Sequence, residues 1–128
     1  MKYYVDTADF ETVKEAFKYF PLEGVTMNPT IAMMDLKGKD VAFFDRAKEV
    51  RAFIGDEKEF HIQAVGENAL DMVMDAERLR EEISGNLFVK IPACSEGYKA
   101  MREINEKGIQ VTATAIIDLN QAMMSAAS

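Results

Sequence analysis

The stretch NLFVKIPACSEG, residues 86–97, decides how the rest of the chain is read. Leu87, Phe88, Val89 and Ile91 make a short apolar run bounded by Gly85-Asn86 and Pro92, the pattern of a buried strand. Lys90 interrupts it. A lysine placed inside such a strand loses hydration, so its presence asks for either a solvent-facing edge or a chemical purpose.

Working outward from this strand, apolar runs and amphipathic stretches alternate. Residues 2–6 (KYYVD) read as a first strand, followed by a helix capped by Thr7 with Phe10, Val13, Phe17 and Phe20 on one face and Pro21 as its stop. GVTMNPT (24–30) begins as a strand and turns at Asn28-Pro29. A helix follows Asp40, with Phe44, Ala47, Val50 and Ile54 on one face and Gly55 at its end. EFHIQAV (59–65) reads as the third strand. Asn68 caps a helix striped by Leu70, Val73, Ala76, Leu79 and Ile83. After LFVKI (87–91), Ser95 caps a helix with Tyr98, Met101 and Ile104 inward and Gly108 as its stop. IQVTATAI (109–116) is the fifth strand, and DLNQAMMSAAS (118–128) begins another helix.

Strict alternation of this kind implies right-handed crossovers and an α/β fold with a parallel sheet. Two architectures fit: a doubly wound open sheet, or part of a (β/α)8 barrel. The turn after the first strand, DTADF, has no glycine, and no GxxxxGK[ST] occurs, which weakens the nucleotide-binding open sheet. Five of eight β/α units are present, so the expectation is a single domain, 1–128, that is a partial TIM barrel truncated on its C-terminal side.

Composition bounds the function. A net charge of −7 argues against a nucleic-acid binder or a partner of anionic membranes, while leaving room for a locally basic pocket that takes a phosphorylated small molecule. No run of about 20 apolar residues is present to span a membrane. One cysteine, Cys94, forms no internal disulfide, and a cytoplasmic location is expected. One histidine and one cysteine argue against a thiolate or imidazole metal site.

Polar residues close each strand: Asp6, then Thr26 and Asn28, then Gln63, then Lys90, then Thr112 and Thr114. In a parallel barrel the C-terminal strand ends converge on the catalytic face, so an acid, amides, hydroxyls and a lysine are expected in one pocket. Lysine is almost wholly ammonium at neutral pH and lacks the lone pair that attacks a carbonyl. Burial favours the free amine, the form needed for Schiff-base chemistry. On this reading Asp6 relays protons, Gln63 and Thr114 orient a water, and Asn28 holds a substrate hydroxyl. Each residue also has a plain structural reading. Lys90 fits an edge strand in solvent, Asp6 a helix start, and Asn28-Pro29 an ordinary turn. His61 reads as packed or exposed, and GDEKE (55–59) and ERLREE (77–82) as solvated surface.

Taken together, YVDTADF, GVTMNPT, IQAV, VKIPACSEG and TATAI resemble the small transaldolase family that includes fructose-6-phosphate aldolase. The paired signatures GVT-x-NP[ST] and VKIP-x-x-x-EG carry the resemblance, and it covers essentially the whole chain. It implies a class I aldolase barrel with no metal and no organic cofactor, acting on a phosphorylated sugar as a homo-oligomer. By motif position, Lys90 matches the Schiff-base lysine and Asp6 the proton-transfer acid. Gln63 and Thr114 match the residues that hold a catalytic water. Asn28 and Thr26 match residues of the substrate pocket. Glutamine at position 63 resembles the aldolase branch, where transaldolases often carry glutamate. The phosphate-binding residues of the family fall beyond residue 128. A non-catalytic piece with an oligomer-forming or ligand-binding role is therefore the alternative, and a deoxyribose-phosphate type of lysine aldolase is a weaker one.

Overall fold

The computed structural model describes residues 1–39 and 41–128. Five strands alternate with helices: β1 (Tyr4–Asp6), α1 (Phe10–Tyr19), β2 (Gly24–Met27), α2 (Pro29–Asp35), α3 (Phe43–Ile54), β3 (Glu59–Gln63), α4 (Ala69–Glu82), β4 (Leu87–Pro92), α5 (Ser95–Glu106), β5 (Gln110–Thr114) and α6 (Leu119–Ala126). The strands follow one another in the sheet in chain order. This is the topology of a partial (β/α) barrel, as the alternation predicts.

The chain divides into two compact units, the first Met1–Ile62 with Glu82–Leu87, the second Gln63–Glu81 with Phe88–Ser128. In the first, β1, β2 and β3 are parallel, with Asp6 opposite Thr26 and Thr26 opposite His61. Alternation along parallel strands then divides the side chains between two faces. Val25, Met27, Phe60 and Ile62 form the buried apolar face. Tyr4, Asp6, Thr26, Glu59 and His61 share the other. Gly24 is required where it stands, because a Cβ there would lie 1.8 Å from the Glu59 carbonyl oxygen. Phe53 of α3 meets Phe10 and Phe17 of α1 edge to face, at ring-centre distances of 5.8 and 5.9 Å.

A buried arginine ties the first unit together. Arg51 of α3 donates to the carbonyl oxygens of Gly55 (2.7 Å), Lys58 (2.8 Å) and Asn86 (3.1 Å). Its guanidinium lies over the Phe60 ring at 5.3 Å. A planar fork with five donors is suited to collecting several backbone carbonyls at once.

In the second unit β4 and β5 are parallel, with Lys90 opposite Thr112 and Pro92 opposite Thr114. Along β4, Leu87, Val89 and Ile91 are buried, and Phe88, Lys90 and Pro92 are half-buried. Helix α5 buries Ala100, Met101 and Ile104, and α4 buries Met72, Val73, Ala76 and Leu79.

Several local expectations are corrected. Thr7 does not cap α1; Asp9 does, accepting from the Thr12 amide at 3.0 Å. Phe20 is exposed at the helix end and not part of a buried stripe. Asn28-Pro29 is the start of a helix, with Asn28 as cap and proline in the first turn, where its missing N–H costs nothing. Asp40, the residue from which the next helix was expected, lies outside the described residues; α3 begins at Phe43 with Ala42 as its cap. Asn68 does cap α4, accepting from the Asp71 amide at 3.0 Å. Leu70, however, is exposed, and Met72 takes its place on the buried stripe. Cys94, not Ser95, caps α5, with its sulfur accepting from the Gly97 amide at 3.4 Å. β5 ends at Thr114, because Ala115 takes a left-handed conformation with φ of 58°.

Candidate functional site

The predicted site residues fall into two groups. In the first unit the parallel register sets Asp6 beside Thr26, and the Thr26 hydroxyl donates to Asp6 Oδ1. The Thr7 amide donates to the Thr26 carbonyl at 3.2 Å, which extends the β1–β2 pairing one residue past the acid. Asn28 follows β2 directly, and its Oδ1 accepts from the Ile31 amide at 2.9 Å. That oxygen is therefore taken up as the cap of α2, where an ordinary turn was expected.

In the second unit, the Ala64 amide donates to the Lys90 carbonyl at 3.1 Å, which sets the residue after Gln63 against the middle of β4. Lys90 lies opposite Thr112, and Thr114 lies one step further along the same face. Lys90 is half-buried, between the buried and the solvent-facing readings. The buried face of β4 is the one carrying Leu87, Val89 and Ile91. Lys90 belongs to the alternate face, where its strand neighbour is a threonine.

The remaining residues of VKIPACSEG build the support around the lysine. A Cβ on Gly97 would lie 1.9 Å from the Pro92 carbonyl oxygen, so only glycine lets the first turn of α5 close on the end of β4. Glu96 accepts from the Ala69 amide at 3.0 Å, supplying a partner for an otherwise open N–H at the start of α4. Its carboxyl is held below the ordinary carboxylate range, first by the Lys99 ammonium and then by this amide. Past β5, Gln121 of α6 donates to the Ala93 carbonyl at 3.1 Å and accepts from the Ile117 amide at 2.8 Å. The loops after β4 and β5 are thereby joined.

Sequence reasoning missed a polar layer in the first unit. Glu59, expected on solvated surface, has a side chain only 14% exposed. It accepts from the Lys2 ammonium and the Tyr4 hydroxyl, and His61 Nε2 lies 3.3 Å away. The Lys2 ammonium, with help from Tyr4 and His61, pulls the Glu59 carboxyl from 4.5 down to about 2. Burial, reinforced by the Glu59 charge, pushes the Tyr4 hydroxyl up to about 12. The available signal was positional: Tyr4, Glu59 and His61 have the same strand parity as Asp6 and Gln63.

Comparison with known proteins agrees with this architecture. The family model described as Transaldolase/Fructose-6-phosphate aldolase matches residues 3–128. The chain belongs to the transaldolase/fructose-6-phosphate aldolase family. It is 31% identical over 125 residues to a probable fructose-6-phosphate aldolase of Streptococcus pneumoniae, covering 98% of this chain and 55% of that protein. It is 35% identical over 126 residues to a probable transaldolase of Lysinibacillus sphaericus, covering 98% and 56%. A probable transaldolase of Geobacillus kaustophilus is 32% identical over 126 residues, with the same coverage, 98% and 56%. The chain thus spans about half the length of these curated relatives of the family. Among the described residues, no helix is long and apolar enough to cross a membrane.

Proposed function

We propose that this chain carries the Schiff-base chemistry of a class I aldolase or transaldolase that acts on ketose phosphates such as fructose 6-phosphate. The observation that carries this reading is Lys90. It stands half-buried on the face of β4 shared with Phe88 and Pro92, beside Thr112, inside a motif whose glutamate and glycine fasten the neighbouring helix starts.

In the proposed reaction the amine of Lys90 attacks the C2 carbonyl of the sugar, and the carbinolamine loses water to give an iminium. That cation is the electron sink when the C3–C4 bond breaks. The electron pair of this bond becomes the enamine, and the C4 hydroxyl loses its proton as the aldehyde leaves. Protonation and hydrolysis of the enamine complete an aldolase cycle, while addition to a second aldehyde completes a transaldolase cycle. Asp6 is proposed to move the protons, and Gln63 and Thr114 to hold the water that shuttles them. Asn28 and Thr26 are proposed to line the substrate pocket. The protein is proposed to work as a homo-oligomer.

Borohydride trapping with dihydroxyacetone or fructose 6-phosphate, followed by peptide mass spectrometry, tests the reading. A reduced adduct on Lys90 that disappears in a folded Lys90→Met variant is the expected result. No adduct on a chain shown to be folded would overturn catalysis by this polypeptide and leave the ligand-binding or oligomer-forming role.

A further inference from the structure

One carboxylate in the first unit has no part in the proposed chemistry, yet it holds the segment that carries the candidate acid. Asp35 is the last residue of α2. A single oxygen, Oδ2, accepts from the Thr7 hydroxyl at 2.7 Å and from the Ala8 amide at 2.7 Å. Thr7 and Ala8 directly follow Asp6, and both are buried, with Ala8 fully so. The clamp continues through the segment: the Thr7 Oγ1 accepts from the Asp9 amide at 3.1 Å, and the Thr7 amide donates to the Thr26 carbonyl at 3.2 Å. Lys39, just beyond α2, pairs with Asp9.

A buried amide and a buried hydroxyl need acceptors, and here both find the same charged one. Hydrogen bonds to a carboxylate are shorter and stronger than neutral ones. The backbone leaving β1 is therefore held on one side by β2 and on the other by the end of α2. Asp6, immediately before the clamped pair, accepts from the Thr26 hydroxyl.

We infer that Asp35 is a positioning residue for Asp6: by holding Thr7 and Ala8, it sets the direction in which the Asp6 carboxylate points. The inference rests on the proposed role of Asp6 as the proton-transfer acid. Misplacement of a reacting group by about 1 Å costs up to about 100-fold in rate, so loss of the clamp is expected in turnover and not in substrate affinity.

The test uses the full chain with Asp35→Ala and Asp35→Asn. Asparagine removes the charge but keeps a carbonyl oxygen able to accept from both donors. In Asp35→Ala, kcat for cleavage of fructose 6-phosphate is expected to fall by about 10-fold or more with KM changed by less than about 3-fold. Asp35→Asn is expected to recover to within about 3-fold of the unmodified chain. Trapping on Lys90 is expected to persist in both. In parallel, NMR is expected to show faster exchange of the Ala8 amide and a shifted Asp6 carboxyl carbon resonance in Asp35→Ala, both restored by asparagine. Unchanged turnover in Asp35→Ala, or turnover and KM degraded together without rescue by asparagine, would overturn the inference. So would an undisturbed Ala8 amide and Asp6 resonance. If the unmodified chain forms no adduct, the proposed function fails, and the two NMR signals alone decide whether Asp35 orients Asp6.

Discussion

Glu59 shows how a single residue changes character when the chain folds. In sequence it closes an acidic, lysine-containing surface run; in the structure it is the acceptor for Lys2 and Tyr4 and lies beside His61. Its carboxyl is depressed from 4.5 to about 2. A depressed carboxylate contributes stability above its unfolded pKa, and that contribution is lost as pH falls through the folded value. The denaturant midpoint of the unmodified chain should therefore drop between pH 4.5 and about 2, and Glu59→Gln should flatten the drop in this window. An identical acid profile in the variant would show that the network contributes nothing. Tyr4 supplies the alkaline counterpart. Its hydroxyl, raised to about 12 mainly by burial, should ionise near pH 12 when absorbance near 295 nm is followed upward in pH. Glu59→Gln should bring it down, because the neighbouring negative charge is removed.

At the scale of elements, α5 offers two opposed predictions. Its cap is a sulfur, a weak acceptor, 3.4 Å from the Gly97 amide. Cys94→Ser places a better acceptor at the same position, and the chain should gain about 0.5–1 kcal/mol, read as a higher midpoint in thermal or denaturant melts. Gly97→Ala should do the reverse. A methyl group 1.9 Å from the Pro92 carbonyl oxygen forces the helix start away from β4, at a cost of about 3 kcal/mol. If alanine were neutral here, α5 would not close on β4 as described. The elements also show what local reading resolves. The cap at Asn68 comes from spacing alone, whereas the apolar run of β4 does not show that Phe88 lies on the half-buried face. The choice between Cys94 and Ser95 does not come from spacing, since both side chains can cap and only the phase of the packed helix selects one. Helix α2 was hidden for a related reason: Asn-Pro initiates a turn or a helix equally well, and packing of the next residues selects between them.

At the scale of the whole molecule, the strongly depressed carboxylates among the described residues are unevenly placed. Asp9, held well below the ordinary range by Lys39 and Thr12, and Glu59 both belong to the first unit. Amide exchange measured from pH 6 down to pH 2 should show Met1–Ile62 losing protection as these carboxylates take up protons. A second unit, Gln63–Glu81 with Phe88–Ser128, that opened first would contradict this assignment. The candidate site was legible in part, as strand positions: Asp6, Gln63 and Thr114 close β1, β3 and β5, while Thr26 stands one residue and Lys90 two residues before the end of its strand. Its supports were not, because Glu96 reaches an amide 27 residues away and Asp35 a hydroxyl 28 residues away.

The amino-acid sequence by itself determined the order of the elements, the parallel character of the sheet and the polar residues that close β1, β3 and β5. These come from hydrophobic period and turn chemistry, which act over a few neighbouring residues. The tertiary structure decided that Lys90 is half-buried, that Glu59 is enclosed, and that Asp35 holds the segment after Asp6. Those outcomes depend on which strand or helix comes to lie alongside, over separations of up to 57 residues, and no local pattern encodes the partner.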